Sequence, residues 1–325
     1  GGGARVYKSD GCGTIIKMDD RGKVDVLTGA TEIGQGSETV LAQIVAEVLG
    51  VPIDDINVIN NDTDVCPWDV GAHASRSTFV AGNSALGAAR KIREQMLAVA
   101  AQNMGEDPAS LDIKNGVVFS RNDKEKSLPL SKVLRKVHYT SGGKMFMAEH
   151  FYDPPNENFD KEFKGNLSVS YAYGVHVVEV EVDRETGQVK ILNYIAAHDV
   201  GKAINPMLLE GQIYGGGLMG IGYALGETMI YEKGRLKNGN FLDYKMPTAK
   251  DVPPVQAVIV ETDEQAGPFG AKGIGEPGLV PTAPAIANAI YDAVGVRIKD
   301  LPITPEKVLR ALQEKAQADT GRSGA

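Results

Sequence analysis

Residues 23–49 read KVDVLTGATEIGQGSETVLAQIVAEVL, and their hydrophobic period changes halfway along. Lys23 to Thr28 alternate and are rich in Val, as a half-buried strand requires. Val40, Leu41, Ile44, Val45, Val48 and Leu49 recur on one helical face. A strand that enters a glycine-rich turn and leaves as a helix is the elementary piece of an α/β or α+β architecture. The rest of the chain repeats that mixture. A second helix is expected over 81–103 and a polar surface turn over 120–126. The proline-bearing stretch PPNENFDKEFK at 154–164 reads as the boundary between a first half, 1–160, and a second, 161–325. The second half opens on 168–182, whose end VHVVEVEV alternates strictly. The turn DRETG follows, then a second strand through Ala197, which together predict a hairpin. A mostly apolar, glycine-rich run spans 207–225, with short strand-like pieces near Met229, Phe241 and 255–261. Helices are expected over 283–294 and 305–314, each preceded by a Thr suited to capping and carrying an early proline.

Composition narrows the function classes. The net charge of −8 and pI near 5.3 argue against nucleic acid or an anionic membrane surface, both of which call for basic patches. No apolar run reaches the ~20 residues of a membrane span, and the start GGGARVYKSDG has no secretory apolar segment, so a cytoplasmic protein is expected. A first residue that is Gly rather than Met is read as a processed, trimmed or separately numbered polypeptide. Cys12 and Cys66 are the two cysteines and form no CxxC, so neither a disulfide framework nor an iron–sulfur cluster is expected on this chain.

Four stretches carry chemistry-bearing residues on flexible or small-residue backbone. In TEIGQGSETV the amides near Gly34, Gln35, Gly36 and Ser37 can converge on an anion, although a plain capped turn fits as well, and the spacing matches neither a Rossmann nor a P-loop fingerprint. DVGAHASRST, 69–78, places Ala74, Ser75, Ser77 and Thr78 where something bulky can lie against the backbone; His73 is expected to be structural. In LEGQIYGGG the Gln212 amide sits among Gly211, Gly215, Gly216 and Gly217, which admit either a cofactor or another backbone. His198 and Asp199 are a conceivable acid–base pair, with no Ser or Cys elbow beside them. GAKGIGEPG, 270–278, holds Glu276 between Gly275 and Pro277 with Lys272 and Gly273 just ahead. A rigid, tightly curved loop can aim that carboxylate into a pocket, where desolvation and Lys272 would pull its pKa in opposite directions; a solvated surface turn is the alternative.

In order along the chain, EIGQGSETVLAQI, the DTD and GAHASRST block, LEGQIYGG, KGIGEPGL and LPITPEKV resemble the carboxy-terminal part of the molybdenum-binding subunit of the xanthine oxidase and aldehyde oxidoreductase family. Bacterial branches acting on nicotinate or 4-hydroxybenzoyl-CoA look closest. The resemblance implies two similar mixed α/β subdomains and a molybdopterin, in the cytosine dinucleotide form, whose dithiolene holds the molybdenum. It implies Glu276 as general base toward a metal-bound oxygen that attacks an electron-poor carbon while hydride leaves to a sulfido ligand. Gly34, Gln35 and Gly36 would line metal and pterin, Ala74 and Ser75 would lie near both, and Gln212 would bind pterin. Ser77, Thr78 and Lys272 would sit near phosphates or pterin. The family's subunit is more than twice this length. The resemblance therefore implies a second molybdopterin subunit for the missing half, with [2Fe-2S] clusters and FAD on further partner subunits. Reductive dehydroxylation of an aromatic CoA thioester, a non-catalytic cofactor-binding assembly subunit, and an independent nucleotide-binding protein are the competing readings.

Overall fold

The computed structural model describes residues 9–323 apart from 124, 141, 142 and 158; residues 1–8, on which the targeting expectation largely rests, lie outside the described residues. The chain separates into two compact units. The first comprises 1–171 with the returning segments 201–205 and 262–273, and the second comprises 172–200, 206–261 and 274–325.

In the first unit, β1 (Cys12–Met18) pairs antiparallel with β2 (Val24–Thr28) on one side and β7 (Phe146–Tyr152) on the other. β2 pairs parallel with β3 (Ile56–Ile59), giving the order β3-β2-β1-β7. A parallel neighbour requires a crossover, and α1 (Ser37–Leu49) supplies it. Val24 and Val26 point into the core, and Leu41, Ile44, Val45 and Leu49 meet them from α1. Each such side chain contributes roughly 1.5–3 kcal/mol by leaving water. α1 ends at Gly50, whose left-handed backbone returns its N–H to the Ala46 carbonyl. The second helix, α2 (Gly82–Met104), is continuous with a π-helical turn over Ser77–Ala81 and covers β1 and β7. A small antiparallel sheet of β4 (Leu111–Lys114), β5 (Val117–Ser120) and β6 (Ser127–Pro129) leads into α3 (Leu130–Thr140).

The second unit is built on the expected hairpin, β8 (Gly174–Val182) and β9 (Val189–Asp199), with a bulge between Glu179 and Val180. β12 (Val255–Val260) adds parallel to β9. α4 (Pro206–Leu225), α5 (Thr282–Val294) and α6 (Pro305–Ser323) complete the unit, and its core gathers Ile221, Ala224, Ile286, Ile290, Val296 and Val308. Two local expectations are corrected. The strand expected near Phe241 is a turn, because the Asn240 side chain accepts from the Leu242 amide and its carbonyl accepts from Tyr244; the strands nearby are β10 (Tyr231–Glu232) and β11 (Arg235–Leu236). Thr282 does not cap α5, since its hydroxyl is drawn 2.8 Å from the Tyr194 hydroxyl. No helix among the described residues is long and apolar enough to cross a membrane.

Candidate functional site

The turn between β2 and α1 does gather its amides on an anion, and the anion is the chain's own. Gly34 and Gly36 adopt φ of 101° and 83°, a region open to glycine. Their N–H groups donate to Glu32 Oε1 at 2.8 and 2.9 Å, while the Ser37 hydroxyl and the Glu38 amide donate to Oε2 at 3.1 Å each. Burial alone would raise the Glu32 carboxyl, but the amides of Gly36, Glu38 and Gly34 and the Ser37 hydroxyl outweigh it and hold it below the usual glutamate value. Of the two readings left open for this turn, an external anion or a plain capped turn, the Gly34 and Gly36 amides fit the second, since Glu32 already satisfies them. Gln35 is turned into its own loop, its amide nitrogen 2.9 Å from the Thr31 carbonyl and 3.2 Å from the Ser37 hydroxyl. The outer side of Gly34 stays open, with nothing within 4 Å of where a Cβ would stand.

The segment after β3 is held by Arg76, which the sequence suggests only as an added donor beside His73. Arg76 is 1% exposed. Its Nη1 donates to both Asp69 carboxylate oxygens at 2.8 Å and to the Gly71 carbonyl at 2.9 Å, and its Nη2 donates to the carbonyls of Asp10 and Gly11. Nε lies 3.1 Å from Asp10 Oδ1 as an ion pair. Burial raises the Asp10 carboxyl, Arg76 and His73 pull it back, and it remains above the usual aspartate value. This buried cluster flanks Ala74 and Ser75, both left-handed at φ of 50° and 53°, a conformation that costs about 1 kcal/mol or more for a residue with a Cβ. Ser77 and Thr78 are half-buried in the first turn of the helical run leading into α2, where the first backbone amides of a helix have no partner within it.

Two of the stretches singled out above meet here. Gly273 runs so close to the Ser75 turn that a Cβ on it would stand 1.5 Å from the Ser75 carbonyl oxygen. Only glycine allows that approach. Lys272 beside it is buried and donates to the Tyr171 carbonyl at 2.9 Å.

In the second unit Gln212 is half-buried on α4 and Glu276 is exposed at the head of a turn. The Glu276 carbonyl accepts from the amides of Leu279 and Val280 at 2.9 and 3.3 Å. Gly278, two residues on, lies against the Gln212 backbone, where a Cβ would stand 3.2 Å from the Gln212 carbonyl. The glycines of α4 divide by face. Gly216 abuts Gly278, Gly217 abuts the Tyr194 ring and Gly220 abuts Thr282, whereas Gly211 and Gly215 meet nothing within 4 Å. His198 does not act with Asp199 as a pair, since its imidazole Nε2 lies 2.8 Å from that of His176. His176 Nδ1 in turn lies 2.7 Å from the Tyr194 hydroxyl, which continues to Thr282. Burial, with the neighbouring His198, pushes His176 down to about 4.

The donor set suits a metal that brings its own organic ligand. Among the described residues no group of three or more His, Cys, Asp or Glu side chains can hold a metal ion. What the structure brings together is the Gly273 backbone and the Ser75 turn, with Ser77 and Thr78 opening the helical run that follows that turn. Backbone amides at a helix start are in general suited to phosphate-bearing groups.

Residues 2–253 match the family of molybdopterin cofactor-binding domains. The chain is 38% identical over 302 residues to the putative xanthine dehydrogenase molybdenum-binding subunit of Escherichia coli K12, covering 91% of this chain and 38% of that protein. It is 34% identical over 300 residues to the large subunit of nicotine 6-hydroxylase from Paenarthrobacter nicotinovorans, covering 91% of this chain and 36% of that protein. The crystal structure of quinoline 2-oxidoreductase from Pseudomonas putida 86 superposes with a TM-score of 0.84 at 33% identity, over 94% of this chain and 38% of that one. The chain thus spans less than two fifths of the length of these relatives.

Proposed function

This chain belongs to the molybdopterin cofactor-binding family of xanthine oxidase-type molybdenum subunits, and on that premise we propose that it is the base-bearing, cofactor-holding part of a molybdenum hydroxylase or dehydrogenase. Its reaction inserts water-derived oxygen at an electron-poor carbon, and the substrate class is N-heteroaromatic. Support for that class comes from relatives named for xanthine, nicotine and quinoline. The observation that carries the reading is the seating of Gly273 on the Ser75 turn, because it joins two of the expected cofactor-binding stretches from opposite ends of the sequence.

In this reading Ser75, Ser77, Thr78 and Gly273 present donors to the pterin and its phosphates, Gln212 adds its amide, and Ala74 keeps the contact surface small. Gln35, locked by its own loop, turns its amide outward on binding. When bound, the molybdenum–pterin group supplies the two-electron redox chemistry; the cytosine dinucleotide form belongs to the reading, as do [2Fe-2S] clusters and FAD on partner subunits. Both cysteines of this chain are free thiols, and Cys12 is buried. The task of Glu276 is to accept a proton at its carboxylate. Its backbone is set for that. The carbonyl is fixed by two amides, Pro277 limits the next φ, Gly278 rests on α4, and Thr282 at the start of α5 is tied to Tyr194. A backbone held in this way limits where the carboxylate can travel, which lowers the orientational cost of using it as a base.

Replacing Glu276 with Gln in the assembled enzyme tests the assignment. Turnover is expected to fall ~100-fold or more while molybdenum and pterin content stay at the wild-type level. Undiminished turnover would remove Glu276 from the mechanism. Turnover lost together with the cofactor would make it a binding residue.

A further inference from the structure

α4 is a helix with apolar residues on every side, and half of its circumference is bare. Apart from the Tyr214 and Tyr223 hydroxyls, its polar side chains are Glu210 and Gln212. One side, from Ile213 through Gly216, Gly220 and Ala224, is buried within its own unit. On the other side Met207, Tyr214, Met219 and Tyr223 are 74, 40, 59 and 57% exposed, and Gly211 and Gly215 open onto free space. A helix that is hydrophobic all round is normally covered all round. The excursion after α4 is anchored to the C-terminal end of the same helix. Glu227 and Pro247 close over Gly222, and Tyr244 donates to Glu227 at 2.6 Å. Between those anchors Tyr231, Phe241 and Leu242 stand 62, 80 and 77% exposed.

We propose that the bare face of α4 and the 229–246 excursion form one docking surface, and that its occupant is the polypeptide equivalent to the part of the relatives' molybdenum-binding subunit that this chain does not span. Two observations carry this. Soluble proteins seldom leave a contiguous apolar patch of this kind uncovered, and Met and aromatic side chains are the types enriched at the centres of protein interfaces. Moreover, the relatives that match this chain almost end to end carry it as 36–38% of a longer subunit, so most of their mass must pack somewhere on it. Gly211 and Gly215, one helical turn apart, let an incoming backbone approach α4 more closely than any side chain would. The inference rests on family membership and not on Glu276 as a base.

Lysine cross-linking of the native protein tests it, because Lys233 and Lys245 lie on the excursion itself. Cross-links from both are expected to reach sequence that matches the relatives' remaining length, whether it is carried by the same polypeptide or by a separate one. Met219→Lys and Phe241→Glu, placed at exposed positions, should weaken that association at least tenfold, while Glu276→Gln leaves it intact and Glu185→Lys in the β8–β9 turn has no effect. Hydrogen exchange gives a second readout on the native protein: amides of 229–246 should exchange at least tenfold more slowly in the wild type than in the Met219→Lys, Phe241→Glu double variant. Association unaffected by both charge insertions, no slowing over 229–246, or cross-links that join only two copies of this chain would each overturn the proposal.

Discussion

Arg76→Met is the sharpest test of how the Ala74–Ser75 turn is held. The substitution keeps most of the volume and removes one buried charge. It leaves the side chains of Asp10 and Asp69, each 1% exposed, without their cation, and the carbonyls of Asp10, Gly11 and Gly71 without a donor. Removing one partner of a buried ion pair costs about 3–5 kcal/mol. The orphaned carbonyls would add about 1 kcal/mol each if independent, but they share one donor group, so the sum is not taken. Against a total stability of roughly 5–15 kcal/mol, a loss of about 4 kcal/mol is large. Trp68, the one tryptophan, precedes Asp69 and stacks 6.2 Å from Phe151, so its fluorescence reports on this region during urea unfolding. With a slope of about 2 kcal/mol per molar urea, the midpoint should fall by roughly 2 M. The loss should also depend on pH in a defined sense. Asp10 already titrates above the usual aspartate value, and without Arg76 it rises further. The folded variant then binds its proton more tightly than the unfolded chain does, so acid partly restores it, and the deficit at pH 5 should be smaller than at pH 8. Arg76→Lys keeps the charge but not the fork, and should lie between. A midpoint within ~0.5 M of wild type, or a deficit equal at both pH values, would refute the claim that Arg76 organises this segment.

Other perturbations follow from the same geometry. Glu32→Gln removes the charge that the Gly34, Gly36 and Glu38 amides address, and should cost about 1–3 kcal/mol and lower molybdenum content per chain, read by thermal unfolding and metal analysis. In the wild type, Glu32 titrates below the usual glutamate value, so its contribution is present above that value and is lost as pH falls through the lowered one. His176 titrates at about 4 rather than near 6.5 because it is buried beside His198, so the unfolded chain takes up the proton first and stability should decline as pH drops from about 6.5 toward 4. The decline should be on the order of 2 kcal/mol, after discounting for partial solvent screening, and His176→Gln should flatten it; a midpoint that does not change over that pH range in the wild type would contradict the buried, neutral imidazole.

Much of the fold was legible because it is periodic. Alternation gave β2 and the β8–β9 hairpin, the 3.6-residue stripe gave α1, and the helix expected over 81–103 matches α2 to within a residue. The parts that were not legible depend on which group answers which. An acid two residues ahead of a Gly-x-Gly turn, as in Glu32-Ile-Gly-Gln-Gly36, is the local signal for an internal anion, and it decides between the external anion and the plain capped turn that the pattern left open. Only half of the Arg76 cluster had a local signal, since Asp69 stands seven residues ahead of it but Asp10 is 66 residues away, and arginine is seldom fully buried. Thr282 had the position of a helix cap, but a tyrosine 88 residues earlier claimed its hydroxyl.

The glycines carry the most general lesson. Read as letters, Gly211, Gly215, Gly216, Gly220 and Gly273 all mean room for something to come close. In three dimensions the room at Gly216, Gly220 and Gly273 is already filled by the chain's own Gly278, Thr282 and Ser75, so those positions specify the fold and, through it, the backbone on either side of Glu276. At Gly211 and Gly215 the room is unfilled, and it lies on the same bare face as Met207 and Met219. A filled glycine should therefore tolerate no substitution even in the isolated chain, whereas an open one should tolerate alanine until the chain is assembled. That difference separates residues that shape this polypeptide from residues that wait for another, and sequence alone cannot draw it because both kinds occur in one helix at the same spacing.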